Sequence, residues 1–235
     1  MGRTLGLTTF DSHLQRFGDR LVLVIERYDR EIHGNKVDRI HQEDAAQALS
    51  LRWNSDAKFE AVDTRANLHA VAGLVSRTRQ AISSAPGDLE RLLAFVTFNA
   101  AIGNTDAHAK NFSIVHYSNG RVALAPLYDV STHAMATGGQ QNMALRINGL
   151  ASQPDLRLTD LVAEGVSWGL KPEAAEALVH CTLTELRDAV CAGEQERVDS
   201  SIPAYIDRQS ANLLGGQRAG AGIGQPPALH HFTHS

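Results

Sequence analysis

Three side chains within one short stretch have the types and spacing to act together. Asp106 stands five residues before Asn111 in Gly103-Asn104-Thr105-Asp106-Ala107-His108-Ala109-Lys110-Asn111-Phe112-Ser113, and Asp129 returns in Leu127-Tyr128-Asp129-Val130. This is the layout of a phosphoryl-transfer site, in which a catalytic Asp precedes a metal-binding Asn and a second metal-binding Asp follows a hairpin. A nucleoside triphosphate carries several negative charges and one or two Mg²⁺ ions, and Mg²⁺ takes hard oxygen ligands such as an amide oxygen and a carboxylate. A separate Asp is needed to face the incoming hydroxyl and accept its proton. His108 and Lys110 lie between and can both contact phosphate. By themselves an Asp and an Asn after a helix can simply cap turns; the hairpin and the returning Asp favour the functional reading.

The flanking sequence supplies elements to position these residues. Leu89 to Ile102 is apolar nearly all round and predicts a buried central helix, with Asp88 as its N-cap and Gly103 as its stop. Ser113 to Tyr117 and Arg121 to Ala125 predict two short strands around a Ser118-Asn119-Gly120 turn, ended by Pro126. Upstream, Leu21 to Ile25 is a continuous apolar run that predicts a buried strand, partnered by Leu14 to Phe17 across Gly18-Asp19. Such a hairpin is unstable unless it packs on something. The charged run Glu26 to Arg30 then marks a boundary. Gln42 to Leu49 and Asn67 to Ser83 read as helices, and residues 131–141 as an irregular loop. The remainder reads as helical, with helices from Pro172 to Ala192 and from Ile202 to Leu214. The Gly-, Pro-, Ala- and His-rich stretch from Gly215 to Ser235 reads as a disordered tail.

Composition narrows the function classes. The 235 residues carry 22 Lys plus Arg against 26 Asp plus Glu, a formal charge of −4. That balance gives no whole-chain case for nucleic-acid binding. The length suits one to two domains with a proper core. No run approaches the roughly 18 to 20 apolar residues of a membrane span, and the start lacks an apolar signal core. Cys181 and Cys191 on one helix would stand about 15 Å apart at roughly 1.5 Å per residue, beyond disulfide reach. Free core thiols and a reducing cytoplasm are expected.

Asn104 to Ser113, taken with Ala125-Pro126-Leu127-Tyr128-Asp129-Val130, resembles the HipA family of toxin serine/threonine kinases. Ile25 to Arg30 looks like that family's hinge between lobes, and His41-Gln42-Glu43-Asp44 with Gln47-Ala48-Leu49 is similar to the segment that follows. The resemblance implies an α+β, mostly α fold: a protein-kinase-like C-lobe, helical with a small β-hairpin at the active-site cleft. It implies a remnant of the N-lobe and hinge over 1–30, a kinase C-terminal domain over 31–214 and a tail over 215–235. The implied roles are Asp106 as catalytic base, Asn111 and Asp129 on Mg²⁺, His108, Ala109, Lys110 and Asn111 along the ATP phosphates, and backbone groups of Glu26, Arg27 and Tyr28 against adenine. Gln42 would approach the nucleotide. The implied reaction moves the ATP γ-phosphoryl group to a protein serine, with an aminoacyl-tRNA synthetase as the best-known target class. The implied partner is a helix-turn-helix antitoxin, which alone would bring contact with DNA. The family's N-lobe supplies a Gly-rich phosphate loop, an ATP lysine and a regulatory serine. Gly2, Gly6 and Gly18 form no such loop, and Lys36, the first Lys, follows the hinge. The expectation is therefore a truncated kinase whose activity as this chain is doubtful.

Two other readings compete. A C-lobe without catalysis would serve as a protein-binding module or decoy for an antitoxin or substrate. A metal-dependent phosphohydrolase would use Asp106, His108, Asp129 and His133 on Zn²⁺ or Mn²⁺. Arg27, Asp29 and Arg30 are balanced between an ion network and a nucleotide role. Trp53 and Trp168 read as packing residues, and His230, His231 and His234 as accidental neighbours.

Overall fold

A computed structural model of the chain describes residues 1–78, 87–136, 140–193 and 200–223. The described elements run in the order β1 (Ser12–Phe17), β2 (Arg20–Ile25), β3 (Arg30–His33), β4 (Lys36–Arg39), β5 (His41–Asp44), α1 (Ala45–Ala48), α2 (Leu68–Thr78), α3 (Asp88–Ile102), β6 (Ser113–His116), β7 (Val122–Leu124), β8 (Asn142–Ile147), β9 (Leu150–Ser152), α4 (Leu158–Ser167), α5 (Pro172–Ala192) and α6 (Ser201–Leu214). Short 3₁₀ turns lie at Ala109–Asn111, His133–Met135 and Gln153–Asp155.

The helix α3 is the axle of the fold. It buries residues on every side, Leu92, Leu93, Phe95, Val96, Phe98 and Ala101 among them. It can do so because α2, α4, α5 and α6 surround it, so each face of an all-apolar helix meets another apolar face. Asp88 lies inside its first turn and not at the cap, which is Gly87. The Asp88 carboxylate instead accepts from Arg91 Nη1 and from the Leu124 amide of β7, joining the helix to the hairpin.

β5, β6 and β7 form one antiparallel sheet. Gln42 to Asp44 therefore belong to a strand, and the helix read over Gln42 to Leu49 begins only at Ala45. Asp44 ends the strand and caps the helix: its Oδ1 accepts from Gln47 N at 2.8 Å while Gln47 Oε1 accepts from Asp44 N at 3.0 Å. Asn67 caps α2 through Ala70 N at 2.7 Å. The part of that helix read beyond Thr78 lies outside the described residues, as does Gly138-Gly139.

Five other expectations are corrected. The run Leu21 to Ile25 forms β2 as expected, paired with β1, but Leu21, Leu23 and Ile25 are exposed, as are Leu14 and Phe17. A strand buries both faces only between two layers, and the described chain puts no layer over this one. Residues 142–152 form the β8–β9 hairpin, not helix, around Asn148-Gly149; both turn residues have positive φ, 49° and 77°, the signature of a type I′ turn. Residues 215–223 are fixed where a disordered tail was expected: Ala219 is buried, its amide donates to Leu156 O, and Asn212 Nδ2 donates to the carbonyls of Ala219 and Ala221. The three tail histidines lie outside the described residues. Trp53 is exposed, whereas Trp168 is buried with its Nε1 donating to Glu164 at 3.0 Å. Cys181 and Cys191 are free thiols on the exposed side of α5, not in the core. Among the described residues no helix is long and apolar enough to cross a membrane.

Candidate active site

The chain leaves α3 through Gly103, which adopts a left-handed conformation at φ 73°. A Cβ there would stand 2.8 Å from Tyr205 Oη and 3.2 Å from Ala134 Cβ, so only glycine fits this exit. Asn104 then turns back, its Nδ2 donating to Asn99 Oδ1 at 2.9 Å inside the core. Thr105 is tied to the far side of the site. Its hydroxyl donates to Gln140 O at 2.8 Å and lies 2.9 Å from His133 Nδ1. A hydroxyl has one proton, so His133 Nδ1 carries the hydrogen of the second bond.

These anchors present Asp106 half-buried. Among the described residues nothing hydrogen-bonds to or pairs with its carboxylate, while its backbone carbonyl accepts from His108 N at 2.7 Å. The 3₁₀ turn Ala109–Asn111 follows. Asn111 is buried, with Oδ1 accepting from His108 N at 2.9 Å and Nδ2 donating to Asp129 Oδ2 at 2.6 Å. Asn111 and Asp129, eighteen residues apart, thus meet side chain to side chain. Asp129 holds φ 54°, a left-handed conformation rare outside glycine. The pair supplies hard oxygens of the kind a divalent cation takes, the Asp129 carboxylate and the Asn111 amide oxygen, but here the amide turns its NH₂ to Asp129 and its oxygen to His108 N.

His108 is buried, and among the described residues its Nδ1 has no partner. Burial first, and the Lys58 ammonium second, hold its pKa below the usual imidazole value, so the ring is neutral. Lys58 and Phe59 were not singled out in the sequence. The Lys58 carbonyl accepts from Ala109 N at 3.1 Å, and the Phe59 ring meets His108 edge-on at 5.4 Å. Lys110 is exposed and Ala109 buried.

A cleft of about 750 Å³ opens beside this loop. Glu26, Arg27, Tyr28, Gln42 and Asp129 all line it, with Phe10 stacked on Tyr28 at 5.5 Å. The Arg27 guanidinium is not free there. It grips Asp29 with Nε at 2.7 Å and Nη2 at 2.6 Å, and Arg30 Nη1 adds a third bond at 2.6 Å. Asp29 is buried, and Arg27 above all holds its carboxyl below the usual range. Arg27, Asp29 and Arg30 are an ion network. Gln42 is likewise engaged, between Tyr28 Oη at 2.6 Å and Ser113 Oγ at 2.9 Å. Burial pushes the Tyr28 phenol up to about 12 and raises that of Tyr128 further, so both remain donors.

The four residues of the phosphohydrolase reading are not gathered. Among the described residues no group of three or more His, Cys, Asp or Glu is placed to hold a metal ion, and His133 Nδ1 is turned to Thr105.

Comparison with known proteins agrees with the fold. Residues 1–190 match the family model of the HipA-like C-terminal domain. The chain is similar to the putative kinase Y4mE of Sinorhizobium fredii, 29% identical over 222 residues, covering 94% of this chain and 50% of that protein. It is also similar to the serine/threonine-protein kinase toxin HipA of Shewanella oneidensis, 25% identical over 158 residues, covering 63% of this chain and 35% of that one. Among solved structures, the Shewanella oneidensis MR-1 complex of HipA, HipB and operator DNA superposes with a TM-score of 0.71 at 20% identity, covering 94% of this chain and 53% of the matched one. The chain spans half the length or less of these two curated relatives.

Proposed function

The chain belongs to the HipA-like C-terminal domain family, and from that premise we propose that it is the catalytic lobe of an ATP-dependent serine/threonine protein kinase of toxin type. The observation that carries this reading is the contact of Asn111 Nδ2 with Asp129 Oδ2 at 2.6 Å, Asn111 lying on the same loop as Asp106, whose carboxylate has no partner among the described residues. Asp106 accepts the proton of a substrate serine. The serine oxygen then bonds to the γ-phosphorus of ATP, the bond from that phosphorus to the β–γ bridging oxygen breaks, and ADP leaves with the electron pair. Asn111 and Asp129 would hold Mg²⁺, which when bound offsets the negative charge of the phosphates. Glu26, Arg27 and Tyr28 frame the adenine end of the cleft, where Phe10 and Tyr28 offer flat apolar surface. The turn from His108 to Asn111 faces the phosphates, and its neutral His108 and exposed Lys110 supply donors. An aminoacyl-tRNA synthetase is the proposed substrate class. A helix-turn-helix antitoxin is the proposed partner, in keeping with the HipA–HipB–DNA composition of the structural neighbour, and the setting is cytoplasmic.

Titration calorimetry of Mg-ATP into the chain tests the reading. Micromolar binding that Asp129→Asn weakens by tenfold or more is the expected result; equal binding by the variant removes Asp129 from the site. A second reading, a binding module without catalysis, draws on the exposed apolar face of Leu14, Leu21, Leu23 and Ile25. It predicts partner capture that is indifferent to nucleotide.

A further inference from the structure

Five groups from separate parts of the chain form one continuous line of hydrogen bonds between the cleft and the catalytic loop. Tyr28 Oη lies 2.6 Å from Gln42 Oε1, Gln42 Nε2 lies 2.9 Å from Ser113 Oγ, Ser113 Oγ lies 2.5 Å from Tyr128 Oη, and Tyr128 Oη lies 2.6 Å from Lys110 O. Proton counting gives the line a single direction. The Lys110 carbonyl can only accept, so the one proton of Tyr128 goes there. Ser113 must then donate to Tyr128, which leaves its oxygen to accept from Gln42. The Gln42 amide is thereby fixed with its NH₂ toward Ser113 and its oxygen toward Tyr28. The opposite amide orientation would draw the Ser113 proton to Gln42 and leave two bare oxygens facing each other at Tyr128.

The sheet makes the central link possible. Gln42 of β5 pairs with Val115, and Asp44 with Ser113, so Gln42 and Ser113 are diagonal neighbours on one face of the β5–β6 pair. The last link matters for chemistry. Tyr128 immediately precedes Asp129, and Lys110 immediately precedes Asn111. The Tyr128–Lys110 bond therefore clamps the two backbone segments whose side chains, Asn111 and Asp129, meet.

We propose that Gln42, Ser113 and Tyr128 are positioning residues, which tie Tyr28 at the cleft wall to the segment carrying Asn111 and keep the Asn111 amide and the Asp129 carboxylate within reach of one divalent cation. The metal half of this assignment rests on the kinase reading above; the tie between hinge and loop does not. The first three links are half-buried and the last, Tyr128 to Lys110, is exposed; in such a chain the bonds polarise one another, so removing a remote member loosens the far end. Gln42 is the informative position, because it touches neither Asn111 nor Asp129.

The test compares the wild-type chain with Gln42→Leu and Tyr128→Phe by two measurements. The first is hydrogen exchange at the amides of Asn111 and Phe112, which donate to His108 O and Ala109 O. The second is Mn²⁺ affinity by electron paramagnetic resonance in the presence of a non-hydrolysable ATP analogue. Both variants should exchange about tenfold faster at these two amides and bind Mn²⁺ about tenfold more weakly, the scale of one lost hydrogen bond. The amides of α5 act as an internal reference and should be unchanged. Loop exchange equal to wild type in Gln42→Leu overturns the tie; faster exchange with Mn²⁺ affinity intact overturns the positioning of the metal pair. If wild type takes up neither nucleotide nor Mn²⁺, the kinase reading and the metal half fail together, and the exchange measurement alone decides the tie.

Discussion

Replacing Gly103 by Ala tests whether the exit from α3 is as tightly determined as its surroundings indicate. Two costs add at this position. A residue with a Cβ held at φ 73° loses about 1–2 kcal/mol to the left-handed conformation. The new methyl also meets Tyr205 Oη at 2.8 Å and Cε1 at 2.9 Å, with Ala134 Cβ at 3.2 Å. Tyr205 is buried and cannot swing aside freely, so overpacking adds about 1–3 kcal/mol. The sum is about 2–5 kcal/mol, a large part of a typical domain's stability. Gly149 separates the two terms: its φ is 77°, yet a Cβ there meets nothing within 4 Å, so Gly149→Ala should cost only the conformational part, about 1–2 kcal/mol. Urea unfolding followed by circular dichroism gives both values. Equal losses in the two variants would refute the reasoning, because the contact with Tyr205 would then contribute nothing.

Asp106→Asn should lower phosphoryl transfer to a protein substrate by at least about a hundredfold, the scale of a lost general base, with its melting temperature unchanged because the carboxylate supports no described contact; transfer at the wild-type rate would remove Asp106 from the chemistry. Asp29→Asn reads out the ion network through pH. The native carboxyl is held low by Arg27 and Arg30, so its contribution is fully present above the unfolded carboxylate value of about 3.9 and is lost as pH falls through the lower folded value. The stability difference between wild type and variant should be flat above about pH 4 and shrink below it; a difference that grows on acidification would contradict the assignment.

The parts of the site that sequence reasoning reached are those with local signatures. The five-residue step from Asp106 to Asn111, the hairpin and the returning Asp129 are all fixed by neighbouring sequence, and the structure brings Asn111 and Asp129 together. The all-apolar character of α3 announced its burial for the same reason: no exposed position in it needed a polar residue. What escaped was set by contacts between distant segments. Gln42 looked helical because Glu43 to Leu49 is rich in helix formers, but pairing with β6, about seventy residues later in the chain, overrides a propensity worth a few tenths of a kilocalorie per residue. Leu21 to Ile25 looked buried because periodicity reports apolarity, not whether a second layer exists to cover it. The β8–β9 hairpin was the avoidable loss, since Asn148-Gly149 is itself a strong turn signal. Lys58 and Phe59 carried no local mark, and only the fold brings them against His108. The line from Tyr28 to Lys110 shows the same division at its sharpest. Each member is an ordinary polar residue in its own segment, and only closure of the β5–β6 pair turns them into one directed chain. Local sequence thus marks the candidate reacting groups, and tertiary pairing specifies how firmly they are held.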